Sequence, residues 1–376
     1  MMEHRRALLI LNMLPGVGPA RKRILERCFG SVESALEASH GELCRCAGIG
    51  GRVADELRNW RSLCDPDAEL RLAEQSGVRI LNEEDAEYPP LLREIHDPPI
   101  CLYALGDSSL LAKTEMALGI VGSRCCTAYG QKMAGHFAEE ASRAGWPVVS
   151  GLARGIDTAA HEATLRAGGC TIAVIGGGLT KIYPRENIGL AARIAAGGGV
   201  LLSEFSLCYT PDRRSFPMRN RIISGISRGT LVVEAGCQSG SLITAAQAME
   251  QGRAVFAVPG RADTPFARGC HALLRDGAVL AESFEDLVNE YTLLPGLKPP
   301  PKEPQAAPPP RVSVASLHLS GLEEKLLRLM REGVLQMDLL LERSEEEPQC
   351  VLSALLAMEL KRLVRQCPGR MLELLV

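Results

Sequence analysis

Short apolar runs alternate with amphipathic stretches through the middle of this chain, and this alternation limits the possible folds more than any other feature. The apolar runs have the length and composition of buried strands and span 116–121, 147–150, 171–175, 199–202, 231–234 and 254–258. Helical patterns separate most of them, at 130–144, 158–167, 188–196 and 242–251. This spacing predicts an α/β fold built on a doubly wound, mostly parallel sheet.

The first 65 residues have a different pattern, with short helices separated by glycine turns. Segments 14–25 and 46–57 both resemble a helix-hairpin-helix, whose glycine turn can hold a DNA phosphate through backbone N–H groups. A small helical bundle in which glycine only caps the helices explains the same pattern. Residues 1–62 carry ten Lys/Arg against seven Asp/Glu, an excess that does not decide between the two.

The far end of the chain changes composition again. Residues 295–310 include eight prolines, which is typical of an exposed, semi-rigid linker. Beyond it, three helical patterns and a short β tail predict a winged-helix-like domain. Residues 313–376 hold eight Lys/Arg against ten Asp/Glu, so their charge does not favour a DNA-reading helix. We therefore divide the chain into a helix-hairpin-helix (SAM-like) domain at 1–65, an extended Rossmann-like domain at 66–292, a linker at 293–312 and a winged-helix-like domain at 313–376.

Composition excludes several classes of function. The formal net charge of −3 means that any nucleic-acid binding must come from local patches. Thirteen cysteines are scattered without a CxxC pair, so the sequence predicts no zinc site and reduced thiols. No apolar run approaches the roughly 20 residues of a membrane span. We expect a cytoplasmic protein without metal or cofactor.

The segment 211–230 is the richest in positive charge. It carries five arginines against one acid, Asp212, and we interpret it as a loop leading into the strand at 231–234. A turn of small residues, Ser239-Gly240-Ser241, follows at the start of a helix. Helix N-termini bind anions through free N–H groups and the helix dipole. This combination predicts a phosphate site.

Three other predicted strands end in similar turns. The turns contain Gly122-Ser123-Arg124, a glycine at position 151, and a segment in which two cations flank one aromatic residue. An aromatic between cations is typical of a stacked base with phosphates beside it, although Tyr183 also fits a core position. Parallel strands bring these turns to one edge of the sheet. The residues expected to bind DNA there are Gly122, Ser123, Arg124, Gly151, Lys181, Tyr183, Arg185, Arg219, Asn220, Arg221, Ser239, Gly240 and Ser241.

Asp157 and His161 form a further pair, one helical turn apart. Asp157 stands where a helix N-cap is expected, and a histidine four residues later lies on the same face. An acid/base dyad is one interpretation of the pair. No serine, cysteine or third ligand joins them in the sequence, so we favour a structural role, in which Asp157 caps the helix and His161 is a satisfied core histidine.

Taken together, these motifs closely resemble the DprA (Smf) family of DNA-processing proteins of natural transformation. The shared motifs, in the family's order, are GSR, SGLARGIDTAAH, YPREN, SEF, FPMRNRIISGIS, SGSLITA and VFAVPG, within residues 85–285. The resemblance implies an extended Rossmann fold, binding of single-stranded DNA, homodimerisation and loading of RecA recombinase onto incoming DNA. It also implies that Arg124, Lys181 and Arg185 touch the DNA backbone. The chain departs from the family at Cys270-His271, where Thr-Asn is usual.

A related class of enzymes offers the main alternative function. Nucleotide phosphoribohydrolases of the LOG type share the extended Rossmann fold and carry a glutamate at a position that here aligns with Thr244. A hydroxyl cannot act as the general base or charge stabiliser for cleaving an N-glycosidic bond. We therefore predict a non-catalytic DNA binder, and a carrier of a nucleotide or of molybdenum cofactor on the same fold is a third hypothesis.

Overall fold

The computed structural model describes residues 3–292, 319–331, 336–344, 346–361, 363–367 and 371–374. The chain divides into two compact units, Met1–Pro300 and Pro301–Val376. The predicted linker at 293–312 lies outside the described residues. Residues on both sides of position 65 belong to the first unit, and a domain boundary there stays a prediction.

A nine-stranded sheet forms the centre of the described part of the first unit. In chain order its strands are β1 (Val78–Leu81), β2 (Leu102–Gly106), β3 (Leu118–Val121), β4 (Val148–Ser150), β5 (Thr171–Val174), β6 (Val200–Ser203), β7 (Gly229–Val232), β8 (Ala254–Ala257) and β9 (Val279–Leu280). Across the sheet the order is β1-β2-β6-β5-β4-β3-β7-β8-β9. β2 pairs antiparallel with β1 and β6, and the other pairs are parallel. The predicted α/β class and mostly parallel sheet are confirmed.

The apolar runs in the sequence correctly predict six of the inner strands, β3 to β8, but they do not predict β1, β2 or β9. β1 has buried residues at its two ends, Val78 and Leu81, and the more exposed Arg79 and Ile80 between them. Four residues of that kind are too short a pattern to stand out from a loop. β9 has only two residues and pairs with β8 at the edge of the sheet.

Helices surround the sheet in the first unit. They are α1 (His4–Met13), α2 (Pro19–Phe29), α3 (Val32–Glu37), α4 (His40–Arg45), α5 (Gly51–Arg58), α6 (Trp60–Leu63), α7 (Pro66–Gln75), α8 (Pro90–Arg93), α9 (Ala128–Arg143), α10 (Ile156–Arg166), α11 (Ile188–Ala196), α12 (Ser215–Ile226), α13 (Gly240–Glu250), α14 (Arg268–Arg275) and α15 (Phe284–Thr292). Short 3₁₀ helices lie at Ser108–Lys113, Arg185–Asn187 and Pro265–Ala267.

Successive residues of a strand pack into different apolar clusters, as expected for a sheet covered on both faces. Ile172 and Val174 of β5 pack in a cluster that includes Ile222 of α12. Ala173, which lies between them, belongs to another cluster with Ile194 of α11. The sheet is therefore buried on both sides, and its strand ends are the exposed edges.

The arginine-rich segment was predicted as a loop, and this prediction is wrong. Most of it forms α12, whose buried face carries Ile222, Ile223 and Ile226. Asp212 lies three residues before the first residue of α12, and its Oδ1 accepts hydrogen bonds from the N–H groups of Arg214 and Ser215, both at 2.8 Å. The one acid of the segment therefore stabilises the turn that leads into the helix.

The second unit is described by itself. It contains α16 (Gly321–Arg331), α17 (Met337–Ser344), α18 (Pro348–Leu360) and an antiparallel hairpin of β10 (Val364–Cys367) and β11 (Met371–Leu374). Leu326, Leu340 and Leu355 form part of its apolar core. Three helices followed by a β hairpin agree with the predicted winged-helix-like domain.

Candidate nucleic-acid interface

The order of the strands creates a crevice at the carboxyl ends of β3 and β7. From β3 the chain continues to β4, β5 and β6 on one side, and it then returns to β7 on the other side of β3. Ligands of open α/β sheets bind at such a switch point. A cleft of about 750 Å³ lies there, which we call the switch-point cleft. Its lining includes Gly122, Ser123, Arg124, Cys125, Asp157, Tyr183, Arg213, Phe216, Arg219, Asn220, Gln238, Ser239, Gly240, Ser241, Ile243, Thr244 and Phe266.

Arg219 of α12 is a buried cation of this cleft, with only 4% of its surface exposed. Burial lowers the pKa of its guanidinium to about 10, Asp157 opposes the shift, and the charge of Arg124 adds to it. Its Nε has no hydrogen-bond partner among the described residues. A buried cation that is incompletely paired and lies near a second cation favours the arrival of an anion.

Arg124 and two aromatic rings form an exposed platform at the cleft. The Arg124 guanidinium carbon lies 5.2 Å from the centre of the Phe216 ring, within cation–π range. The Phe216 and Tyr183 ring centres are 5.9 Å apart. Tyr183 is 48% exposed, so it is a surface residue and not the core residue that its sequence also allowed.

The N-terminus of α13 opens into the same cleft. Ser239 caps the helix, since its hydroxyl accepts the N–H of Ser241 at 3.4 Å. Nothing lies within 4 Å of a Cβ built on Gly240, so a ligand can approach this helix start closely. The side-chain amide of Asn220 donates to the Gly240 carbonyl at 3.4 Å and joins α12 to α13.

The turn after β3 is held by backbone contacts. The Ser123 N–H donates to the Glu234 carbonyl at 2.7 Å, and its hydroxyl oxygen accepts the Cys125 N–H at 3.1 Å. The Ser123 hydroxyl hydrogen therefore stays available for a ligand. A Cβ on Gly122 would stand 2.6 Å from Ile156, so this position requires glycine for packing.

Of the thirteen predicted site residues, nine line the switch-point cleft, and four lie elsewhere. Gly151 borders a small adjoining cavity with Arg124 and Arg219. Lys181 and Arg185 are exposed near Tyr183 but do not line the cleft. Contact of any of these residues with DNA stays a prediction.

Arg221 is the fourth of these residues, and its position explains why it does not face the cleft. Its side chain is buried and pairs with Glu204, and its Nε lies 2.9 Å from Asp97. Helical geometry turns Arg219 and Arg221 about 200° apart around α12. We therefore assign Arg221 to the packing of the fold and leave it out of the proposed contact surface.

Asp157 and His161 have structural partners. Asp157 was predicted to cap its helix, and this prediction is wrong, because Gly155 is the N-cap of α10. The Oδ2 atom of Asp157 instead accepts the N–H groups of Gly151 at 3.1 Å and Ala153 at 3.3 Å. Burial raises the pKa of Asp157 although Arg219 opposes this. The His161 Nδ1 lies 2.7 Å from the Thr171 hydroxyl, whereas its Nε2 has no hydrogen-bond partner among the described residues, so the predicted core histidine is only half satisfied. Burial lowers the pKa of His161 to about 3.

The sequence interpretation missed several cleft residues. Arg213, Phe216 and Phe266 are among those that line the switch-point cleft. Phe216 lies three residues before Arg219, a helical spacing that would have placed both on one face. Phe266 lies in the 3₁₀ helix Pro265–Ala267, and its neighbours gave no periodic signal.

His271 occupies the position at which the chain departs from the resembled family. Its Nε2 lies 3.0 Å from the Gly260 carbonyl, so the ring joins α14 to the loop after β8. Cys270 is buried beside it, and burial raises the pKa of its thiol to about 12. The histidine thus supplies a local loop contact.

Among the described residues, no cluster of three or more His, Cys, Asp or Glu side chains is arranged to hold a metal ion. No helix in that part of the chain has both the length and the apolarity needed to cross a membrane.

Comparison with known proteins agrees with this geometry. Residues 79–292 match the family model described as DNA recombination-mediator protein A, and residues 299–370 match the DprA winged helix domain. The DNA processing protein DprA of Bacillus subtilis is 48% identical over 216 residues, which cover 57% of this chain and 72% of that protein.

Two solved structures are also similar. DprA from Streptococcus pneumoniae superposes with a TM-score of 0.65 at 35% identity, covering 77% of this chain and 99% of that one. DprA from Helicobacter pylori, described for its single-stranded DNA binding mode, superposes with a TM-score of 0.52 at 30% identity, covering 57% and 96%. The chain therefore belongs to the DNA recombination-mediator protein A family of DNA-processing proteins.

Proposed function

We propose that this chain is a non-catalytic, cytoplasmic protein that binds single-stranded DNA in the switch-point cleft. As a homodimer, it protects incoming DNA and loads RecA recombinase during natural transformation and recombination. The observation that carries the proposal is Arg219, a buried arginine whose Nε is unpartnered among the described residues and whose charge Asp157 offsets only in part. A DNA phosphate would complete its hydrogen bonding.

The surroundings of Arg219 favour a polymer over a single nucleotide. Arg124 and Arg213 also line the cleft, and the N-terminus of α13 adds a further anion-binding element. Several positive groups along one groove, with aromatic rings beside them, are typical of proteins that follow a single strand. The described relative from Helicobacter pylori, which binds single-stranded DNA, supports the same interpretation.

Three residues support a binding role without catalysis. Thr244 is buried at the cleft, at the position where the related hydrolases need a glutamate. The Glu234 carboxylate accepts hydrogen bonds from the N–H of Thr127 at 2.8 Å and from the Thr127 hydroxyl at 2.6 Å. Glu234 also lines a different cavity. Asp157 holds backbone N–H groups.

RecA loading follows from the family resemblance, and its test is direct. RecA filament nucleation on single-stranded DNA is measured with and without this protein. We expect faster nucleation with the wild-type chain and none of that gain with Arg219→Ala. Equal nucleation with and without the wild-type protein, under conditions where it binds the strand, rejects RecA loading and leaves DNA binding intact.

A further inference from the structure

A second aromatic surface of the switch-point cleft has no role in the contacts discussed so far. Phe266 and Ile243 line the cleft and are 39% and 43% exposed. Phe266 belongs to the 3₁₀ helix Pro265–Ala267, and Ile243 to the first turn of α13. Large apolar side chains exposed in a concave site usually mark a place for a ligand.

The Phe266 surface lies away from the Phe216 platform. Phe216 contacts Gly176, the second residue after β5, because a Cβ built there would stand 3.0 Å from the ring. The backbone carbonyl of Phe266 accepts the N–H of Ala235, the third residue after β7, at 2.9 Å. Two strands separate β5 from β7, which corresponds to about 14 Å across the sheet. One stacked base step of about 3.4 Å does not span that distance.

The Phe266 surface is also fixed in position. Besides the bond from Ala235 to Phe266, the Gly269 N–H donates to the Ala235 carbonyl at 2.8 Å. The backbone of the turn that carries the ring is thus joined on both sides to Ala235, close to the end of a central strand. Because this backbone is already ordered, less conformational freedom is lost when a flat partner stacks on the ring.

From this geometry we propose that Phe266, with Ile243 beside it, is a second base-stacking surface that holds a different nucleotide of the same strand from the one at Phe216. The charge of the cleft selects this occupant over an apolar peptide. Its charged lining residues are Arg124, Arg213, Arg219 and Asp157, so a base on Phe266 places its backbone beside cations. The inference rests on the proposed function, and it adds the role of a specific residue.

Binding to two strands with the same phosphates tests the inference. One is an oligothymidylate of about 20 nucleotides, and the other is an all-abasic strand of equal length. We expect Phe266→Ala to weaken binding of the oligothymidylate about 5-fold to 100-fold, the range that stacking of one base gives. The abasic strand should bind the variant and the wild type equally, since it has no base to stack.

Two control variants separate stacking from structural damage. Phe266→Tyr keeps the ring and should bind oligothymidylate like the wild type. Met249→Ala removes an equally exposed apolar side chain from the last turn of α13, outside the cleft, and should change neither strand. Unchanged oligothymidylate binding by Phe266→Ala, or an equal loss on both strands, overturns the inference. Failure of the wild-type protein to bind either strand rejects the proposed function itself.

Discussion

The Arg219 guanidinium lies directly over Gly151, so closely that a Cβ built at position 151 would stand 1.6 Å from Nη1. The same Cβ would stand 2.7 Å from Oδ2 of Asp157. The absence of a side chain at Gly151 therefore leaves the room that the guanidinium of Arg219 and the carboxylate of Asp157 occupy.

Gly151→Ala should displace Arg219 and weaken single-stranded DNA binding about 10-fold to 100-fold, the value of one charge-assisted hydrogen bond. Equilibrium titration by fluorescence anisotropy measures the loss. Gly189→Ala is the matched control, because nothing lies within 4 Å of its Cβ on α11, and it should bind normally. Full affinity in Gly151→Ala would show that the position of Arg219 is unimportant for DNA.

Arg124→Ala should weaken binding to all sequences alike, because the contact that we propose for its exposed guanidinium is with the DNA backbone and not with a base edge. The dependence of log K on log salt concentration should also decrease by about 0.7, the value of one phosphate contact on a single strand. Arg143→Ala removes an exposed arginine that pairs with Glu140 on α9 and should leave both quantities unchanged. A loss confined to particular sequences would contradict the assignment.

Arg221→Ala should act on stability and not on the salt dependence of DNA binding. Its removal leaves the buried carboxylate of Glu204 without its cation, which costs about 3–5 kcal/mol of unfolding free energy. Urea denaturation measures this loss. The double variant Arg221→Met with Glu204→Leu should recover much of it, since no buried charge remains. A stability change near zero, together with a smaller salt slope, would move Arg221 into the DNA site.

His161 should make the fold sensitive to acid between about pH 6.5 and pH 3. Burial lowers the pKa of His161 to about 3, whereas an unfolded histidine takes up a proton near pH 6.5. The unfolded state binds the extra proton in that window, so the free energy of unfolding falls as pH decreases. Asp157 acts in the opposite direction, since its raised pKa lets the folded state bind a proton first.

The measurement for His161 is the pH slope of unfolding free energy in the wild type and in His161→Gln. In this pH window the unfolded wild type binds up to about one proton more than the folded wild type because of His161. This difference in bound protons, and the pH slope that it causes, should be absent from the variant. If the substitution also changes the unfolding free energy by an amount that is the same at every pH, that change does not alter the slope. An identical slope in the two proteins would mean that His161 titrates normally in the fold.

The sequence was sufficient to predict the parallel core of the fold, because the inner strands are buried on both faces and appear as continuous apolar runs. It was not sufficient at α12, where the charged residues Arg219 and Arg221 made the helical spacing of the nearby buried isoleucines difficult to recognise. An arginine at a buried position is rare enough that the pattern suggests a loop. Only the three-dimensional partners Asp157 and Glu204 explain why these cations are inside.

The candidate site was predictable only in part. The turns after the strands were recognisable because parallel strands direct them to one edge, and nine of the predicted residues do line the cleft. Phe266 and Arg213 could not be assigned, since their positions depend on how the loops after β6 and β8 fold back over the edge. Arg221 was an error of the opposite kind, since it was predicted for the site and does not line the cleft. Its neighbours in the sequence gave no indication that it pairs with Glu204.

We propose above all that the switch-point cleft binds the phosphate backbone of single-stranded DNA, and one titration tests this most directly. Affinity for a single strand and for a duplex of the same sequence is measured over a range of salt concentrations. We predict preference for the single strand, with log K falling by about 0.7 per log unit of salt for each phosphate contacted. Preference for duplex, or an affinity that does not change with salt, would contradict the account.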